Sequence, residues 1–450
     1  MSITRRSAHD REIIRLALPA FGALAAEPLY ILADTAIVGH LGTRQLSGLA
    51  LAGAVLTAGF QLFNFLAYAT TGAVARHVGA GNPRDGAEQG IEGVWLAVLL
   101  GVALTVVGLV FAPAIVDAMG ASKHVHPYAV TYLRISILGA PAMLITLAAA
   151  GFLRGWQDTR TTLYVAVGQN VLNLVLELAL VYGLHLGVAG SAWGTVVAQL
   201  VAAIAYLAVL AHIARHERAS FRPHADGMRA SARVGGKLVV RTASLLIAFL
   251  VTTAIASRLG DAQLAAHQIA FQVMMFLALS MDALAIAGQA LVGKFLGASD
   301  AVESRAASRR LLEWGVATGA VFAVGLTLVR PWLPAVFTGD EHVRALASQV
   351  LWVVIALQPV NAVVFVLDGI LIGAGDLGYL AVAMAFSTFV CFLPVALLVL
   401  AVHGTLLELW GALCVLMLAR LATMWARYRT GRWQVLGAEL PARAEIVEPF

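Results

Sequence analysis

Charged residues are scarce in this 450-residue chain: Asp, Glu, Lys and Arg together make up 12% of it, against about 25% in an ordinary soluble domain. Hydrophobic residues make up 60%, which is more apolar surface than one soluble core can bury. The composition excludes a soluble globular protein and an intrinsically disordered one. It predicts an all-α membrane protein, because helices satisfy their own backbone hydrogen bonds in lipid.

Cysteine is almost absent as well. Cys391 and Cys414 both lie in apolar runs and have neither the spacing of a metal site nor the number that a disulfide framework needs. The segment from Gly288 to Lys294 resembles a phosphate-binding loop but lacks the Ser or Thr that should follow, and no serine-nucleophile elbow occurs. The sequence therefore predicts a protein that is not an enzyme, with no catalytic residue, no metal site, no cofactor and no nucleic-acid partner.

Long apolar runs fill most of the chain. Runs of about 20 residues, separated by charged or Gly/Pro/Asn clusters, predict twelve transmembrane helices. The run from Leu16 to Val38 is too long for a signal peptide and contains Glu27 and Asp34, which indicates a retained first helix. The approximate spans are 13–39, 46–76, 88–116, 125–152, 160–183, 188–214, 236–258, 264–295, 305–335, 343–372, 377–402 and 405–427.

The chain repeats itself at an offset of 218 residues, as from Pro141 to Pro359 and from Gly151 to Gly369. Each copy has six predicted helices, an even number, so both copies enter the membrane in the same orientation. We expect two parallel six-helix repeats around a central cleft, an architecture typical of transporters. The predicted organisation is an N-terminal lobe (1–214), a basic cytoplasmic linker (215–236), a C-terminal lobe (237–430) and a cytoplasmic tail (431–450).

Lys and Arg are distributed unevenly between the predicted loops. Most of them fall on the side of the N-terminus and in the linker. Since positive residues are retained on the cytoplasmic side, we expect a multi-pass protein of the cell inner (plasma) membrane with both termini in the cytoplasm.

Ionisable residues at membrane depth cost about 2.5–3.5 kcal/mol each at a helix centre and are functional candidates for that reason. Glu27 and Asp34 are seven residues apart in helix 1, so two helical turns place them on roughly one face. Asp34 can bind and release a proton, because a low dielectric disfavours its charged form. The alternative is a carboxylate at a wet vestibule that serves only solubility or capping.

Polar residues also form a stripe on helix 5. Asn170, Asn173 and Glu177 lie at positions i, i+3 and i+7 of an otherwise apolar helix, and Thr195 in helix 6 can add a hydroxyl group. Two amides and a carboxylate can bind a proton or a small cation. The alternative is hydrogen bonding between helices that only holds the fold together.

The repeat provides an internal control for these residues. At the same offset, Asp34 corresponds to Thr252 and Glu177 to Val395. If the polar groups only held the fold together, the second copy would need them too. The asymmetry favours a cation or proton site in the N-terminal lobe alone.

The second half has polar faces of its own, which we assign to substrate binding together with Glu27; the alternative is a structural polar network or gate. These residues occur in pairs four or seven positions apart, namely Gln268 with Gln272, Asp282 with Gln289, and Asn361 with Asp368.

Three segments carry a family resemblance: EPLYILADTAIVGHLG (27–42), GFLRGWQDT (151–159) and DALAIAGQALV (282–292). As an ordered set on a twelve-helix double repeat, they resemble the DinF-like branch of the multidrug and toxic compound extrusion (MATE) family. The resemblance implies alternating access of two lobes and export of amphipathic, cationic organic compounds, including xenobiotics, in exchange for inward cation flow. It also implies a monomer that contacts small organic substrates and the lipid bilayer.

The resemblance further implies roles for individual residues. Asp34 matches the protonation or cation site of the family, with Asn173, Glu177 and Thr195 in support. Asp368 matches a helix-10 aspartate. Helix 7 has only threonines where the sodium-coupled branch carries an acidic residue, which favours H⁺ over Na⁺ as the coupling ion.

Two other transport functions remain as alternatives. An exporter of an organic-acid metabolite fits, because related plant proteins share the phrase around Asp282. A flippase for lipid-linked sugars fits less well, since it would need a more basic cavity and only Arg134 and Arg241 are candidates at membrane depth.

Overall fold

The computed structural model describes residues 3–438. Within that range, twelve helical segments are long and apolar enough to span a membrane, as the sequence predicts, and we number them in chain order. Short 3₁₀ or π turns interrupt α2, α4 and α11, and a π turn ends α5. The segments are α1 (Ala8–Gly39), α2 (Thr43–Gly79), α3 (Pro83–Ala118), α4 (His126–Gly155), α5 (Thr159–Gly183), α6 (Val188–His216), α7 (Asp226–Leu259), α8 (Asp261–Gly297), α9 (Ala301–Val329), α10 (Glu341–Gly373), α11 (Leu377–Ala401) and α12 (Leu406–Thr430).

Large apolar side chains cover the outer faces of the helices. On α3, Leu99, Val102, Val106 and Val110 are each at least half exposed and recur at the spacing of one helix face. A stripe of this length would be unfavourable in water and is accommodated by lipid. The exposed apolar surface thus agrees with twelve membrane spans.

Close helix contacts recur at the offset of the sequence repeat. A Cβ atom on Gly151 would lie 2.5 Å from the carbonyl oxygen of Ala67, and one on Gly369 would lie 2.3 Å from that of Ala285. Each glycine therefore lets two helix backbones approach, α4 with α2 in the first copy and α10 with α8 in the second. The same close contact between helix backbones therefore occurs in both copies of the repeat.

Turn conformations repeat in the same way. Gly42 and Gly260, each at the turn before the second helix of its copy, have φ angles of 130° and 131°, which other residues rarely adopt. His185 and His403, before the last helix of each copy, have φ angles of 57° and 52°. The repeat predicted from the sequence is thus present in the backbone.

The chain divides into two compact units. One comprises Leu18–Gly235, and the other comprises the residues from Gly236 onward together with the start of α1, up to Ala17. The start of α1 joins the C-terminal unit because Asp10 accepts hydrogen bonds from Arg310 Nε (2.6 Å) and from Trp314 Nε1 (2.7 Å). The sequence assigned this segment to the N-terminal lobe, since nothing in its pattern shows what it packs against.

The linker is shorter than the predicted 215–236. α6 ends at His216, and the helix that includes α7 begins at Ala225. The connection packs on α3: Ser220 donates its backbone N–H to Glu88 (3.0 Å) and Trp95 donates its indole N–H to the Phe221 carbonyl (3.1 Å). Residues 225–236, assigned to the linker from the sequence, are the first residues of the helix that includes α7. The predicted tail, 431–450, is described only as far as residue 438; its remainder lies outside the described residues.

Candidate functional site

A buried carboxylate lies where α1 meets α6 in the Leu18–Gly235 unit. Asp34 is 6% exposed, and its Oδ1 accepts a hydrogen bond of 2.7 Å from Ser191 Oγ. Ser191 is itself completely buried. Because hydrogen bonds to a charged acceptor are among the stronger ones in proteins, this bond ties α1 to α6.

Thr195 lies one turn after Ser191 on the same face of α6. Its hydroxyl is 3.1 Å from the Tyr30 hydroxyl of α1 and accepts a hydrogen bond of 3.4 Å from Asn173 Nδ2 of α5. It also donates to the Ser191 carbonyl (3.2 Å). Three helices, α1, α5 and α6, therefore meet in one polar cluster.

A second carboxyl group completes this cluster. Glu177 of α5 is completely buried and lies beside Asp34 and Ser191, close enough to interact with both. Neither of its carboxyl oxygens has a hydrogen-bond partner among the described residues, and neither does Oδ1 of Asn173. The cluster thus has an excess of acceptors over donors, which a proton or a small cation would balance.

Two of the predicted site residues lie elsewhere. Glu27 is exposed and Asn170 is only half-buried. The spacing of seven residues places Glu27 on the same face of α1 as Asp34, but the helices that bury Asp34 do not cover α1 two turns earlier. Asn170 belongs to the stripe of α5 whose deeper members are Asn173 and Glu177.

The structure adds residues that the sequence analysis missed. Ser191 is the donor to Asp34, and Tyr132 of α4 is buried beside both carboxyl groups. Tyr182 donates its hydroxyl to the Ile37 carbonyl near the end of α1 (3.0 Å). Helical spacing could have indicated Ser191, which lies four residues before Thr195, and Tyr30, which lies four residues before Asp34. No such spacing indicates Tyr132 or Tyr182.

The C-terminal unit holds a different buried cluster. Asp368 of α10 is 3% exposed and contacts Arg241 of α7 directly. A second guanidinium, from Arg420 of α12, lies 3.5 Å from the same carboxylate oxygen, Oδ2. The sequence analysis predicted Asp368 as a substrate-binding residue. It did not predict that Asp368 lies between two arginines, because Arg420 is followed by other arginines at the end of α12 and could not be distinguished from them.

The other predicted residues of this unit are dispersed. Gln268 and Gln272 are exposed on α8, and Asp282 is half-buried. Gln289 and Asn361 are buried, and the side-chain carbonyl oxygen of each has no partner among the described residues. The polar faces predicted from the spacing therefore differ in burial, and only Gln289, Asn361 and Asp368 point inward.

The family model MatE matches residues 19–178 and 238–398, so one copy of the model falls on each repeat. The chain belongs to the MATE family. Members of this family are transporters that bind small organic substrates in a membrane, and the DinF-like resemblance of the three sequence segments is confirmed. This MATE protein is accordingly a multi-pass membrane protein related to multidrug efflux transporters.

Individual relatives cover nearly the whole chain. It is 34% identical to Protein DETOXIFICATION 44, chloroplastic, of Arabidopsis thaliana, over 94% of this chain and 84% of that protein. It is 29% identical to DNA damage-inducible protein F of Escherichia coli (strain K12), over 94% of each. An outward-facing multidrug resistance MATE transporter of the MOP superfamily has a similar fold, with a TM-score of 0.83 at 21% identity, over 95% of this chain and 96% of that one.

The two halves of this MATE protein share a backbone but not a polar site. Thr252, the counterpart of Asp34, donates its hydroxyl to the Ala248 carbonyl of its own helix (2.8 Å). Val395, the counterpart of Glu177, offers no polar group. The carboxyl pair is therefore specific to the N-terminal unit and is not a requirement of the fold.

Proposed function

We propose that this MATE protein is a secondary exporter of amphipathic organic compounds driven by inward proton flow, and that Asp34 and Glu177 bind the coupling proton. The observation that carries the proposal is the burial of two neighbouring carboxyl groups in one unit. Their neighbours are hydroxyl and amide groups, and no basic residue hydrogen-bonds to either carboxyl group among the described residues.

Electrostatics supports reversible protonation of this pair. Removing an ionised carboxylate from water costs several kcal/mol unless donors or a counter-charge compensate it, and two adjacent negative charges repel each other. Ser191 supplies one donor to Asp34, while Glu177 has no donor among the described residues. A single proton between the carboxyl groups would remove one charge and provide the missing hydrogen bond.

Proton binding would act on the packing of α1. Asp34 and Tyr30 hold α1 to α6 through Ser191 and Thr195, and neutralising Asp34 weakens the stronger of these two bonds. The proton can shift an alternating-access equilibrium only if it binds one state more tightly than the other. Each proton supplies about 2.3 kcal/mol per 100 mV of membrane potential and about 1.36 kcal/mol per pH unit.

We favour H⁺ over Na⁺ because α7 carries Thr252 and Thr253 where the family resemblance implies an acidic residue for the sodium-coupled branch. Both hydroxyl groups donate to carbonyls of their own helix. No cofactor other than the coupling ion is proposed, and no enzymatic activity. We further propose a monomer in the cell inner membrane with both termini in the cytoplasm.

Transport by reconstituted protein tests the proposal. Proteoliposomes receive an imposed pH gradient, with and without sodium, and export is followed for a fluorescent organic cation and a fluorescent organic anion of similar size. We expect gradient-driven, sodium-independent export that Asp34→Asn abolishes and Glu177→Gln weakens. Val395→Ala, at the repeat counterpart of Glu177, should change stability but not coupling.

Two results would contradict the proposal. Unchanged pH-driven export by the Asp34→Asn variant would remove Asp34 from the mechanism. Equal losses of coupling in Glu177→Gln and Val395→Ala would mean that the carboxyl pair acts only through packing.

A further inference from the structure

We infer that Arg420, together with Arg241 and Asp368, binds the carboxylate of an organic anion, so that the exported compounds include amphipathic carboxylates. This assignment develops the organic-acid alternative of the sequence analysis and adds carboxylates to the cationic substrates expected there. Its binding step stands on the geometry of the C-terminal unit, and only the export step rests on the proposed function.

Arg420 is a buried cation with weak partners. Its side chain is 3% exposed, yet its contact to Asp368 is 3.5 Å long and its Nη1 reaches only the sulfur of Met417, also at 3.5 Å. Its Nε has no partner among the described residues. A guanidinium has five N–H donors, and leaving a buried charge without good acceptors is strongly unfavourable.

The carboxylate that could neutralise Arg420 is shared. Asp368 makes its closer contact with Arg241, so Arg420 has the longer and weaker one. A ligand carboxylate fits this deficit because its two oxygens match the planar fork of a guanidinium. Arg241, whose side chain is 12% exposed, is the member of the cluster that reaches accessible surface, so a ligand would meet it first.

The charged cluster of the C-terminal unit has no counterpart in the first copy of the repeat. At the offset of 218 residues, the counterparts of Arg241, Asp368 and Arg420 are all alanines, namely Ala23, Ala150 and Ala202. The N-terminal unit builds the same helix packing with small apolar residues at these positions. The charged cluster is therefore an addition to the repeat, as the carboxyl pair is in the other unit.

Equilibrium binding to the full-length protein in detergent tests the inference without any gradient. The probe is tritiated 1-naphthylacetate at pH 7.5, where it is ionised. Its neutral amide, 1-naphthylethylamine and naphthyl phosphate serve as competitors. The amide corrects for partition into micelles, and the phosphate distinguishes a carboxylate site from a general anion site. We expect the carboxylate to compete at least tenfold better than the amide or the amine, and better than the phosphate.

Arg420→Met should weaken binding by about 10- to 100-fold, equivalent to about 1.4–2.8 kcal/mol, while Arg241 and Asp368 remain paired. Arg420→Lys keeps the positive charge but lacks the planar guanidinium group, so it should give an intermediate loss of affinity. It also tests the inference if the Arg420→Met variant does not fold. The matched control is Arg427→Met, seven residues later on α12, which breaks the 2.6 Å contact with Asp376 and should leave binding unchanged.

Several outcomes would overturn the inference. These are equal binding of the carboxylate and its amide, unchanged affinity in the Arg420 variants, an equal loss in Arg427→Met, or a preference for phosphate. Carboxylate binding without proton-driven export would sustain the site and contradict the proposed function. Proton-driven export of cations without carboxylate binding would support the proposed function and overturn the inference.

Discussion

Substituting Ser191 by alanine removes a hydrogen-bond donor from Asp34 without changing any charge. The bond is 2.7 Å long and buried, and hydrogen bonds to charged groups contribute about 1.5–3 kcal/mol. Because this bond ties α1 to α6 at the proposed coupling site, Ser191→Ala should lower the rate of proton-driven export by about 10-fold, which corresponds to about 1.4 kcal/mol.

The assay measures export rates from proteoliposomes at one imposed pH difference. Ser308→Ala is the matched control, because Ser308 is a buried serine in the other unit whose hydroxyl donates only to the Ser304 carbonyl (2.8 Å). It should leave the export rate unchanged. An unchanged export rate in Ser191→Ala would refute the assignment of this hydrogen bond, and of Asp34, to the coupling site.

Two predictions concern stability, measured by thermal unfolding in detergent. Asp10→Asn should lower the unfolding free energy by about 1–2 kcal/mol, since it weakens a partly buried contact with Arg310, whereas Asp226→Asn should have no effect because its ion pair is exposed. An equal response of the two would show that Asp10 does not anchor α1. Gly369→Ala should cost about 1–3 kcal/mol by forcing α10 away from α8, whereas Gly53→Ala, where nothing lies within 4 Å of the new Cβ, should be tolerated. A stable Gly369→Ala protein would contradict the close packing.

The fold could be predicted because its determinants are local and repeated. Twelve apolar runs of spanning length define the helices, and an offset that pairs Pro141 with Pro359 and Gly151 with Gly369 defines the two copies. The structure shows why these positions are kept: the glycines are points of backbone contact between helices. What the sequence could not reveal is the partner of each terminal segment, such as the start of α1, because a partner distant in the chain leaves no periodic signal.

The candidate site was only partly predictable, for a related reason. Asp34 and Glu177 stand out because charge is costly in a membrane. Ser191 stands out less: it lies four residues before Thr195, but a serine in a helix commonly bonds its own backbone, and only the structure shows its hydroxyl group donating to Asp34. Arg420 was missed for a different reason. It precedes other arginines near the end of α12, so the sequence indicates a cytoplasmic basic residue, and only the structure places it beside Asp368.

The separation of the two polar clusters gives α1 a particular importance. Under the proposed function, a proton bound in the N-terminal unit would affect a ligand bound in the C-terminal unit through elements that belong to both units. α1 is such an element, since its residues up to Ala17 belong to the C-terminal unit and those from Leu18 to the N-terminal unit. Asp10 anchors its first part and Asp34 its last. Pro19, next to the boundary, removes a backbone hydrogen bond and weakens the helix there, so under the proposed function a change at Asp34 would act on the part of α1 that follows Pro19.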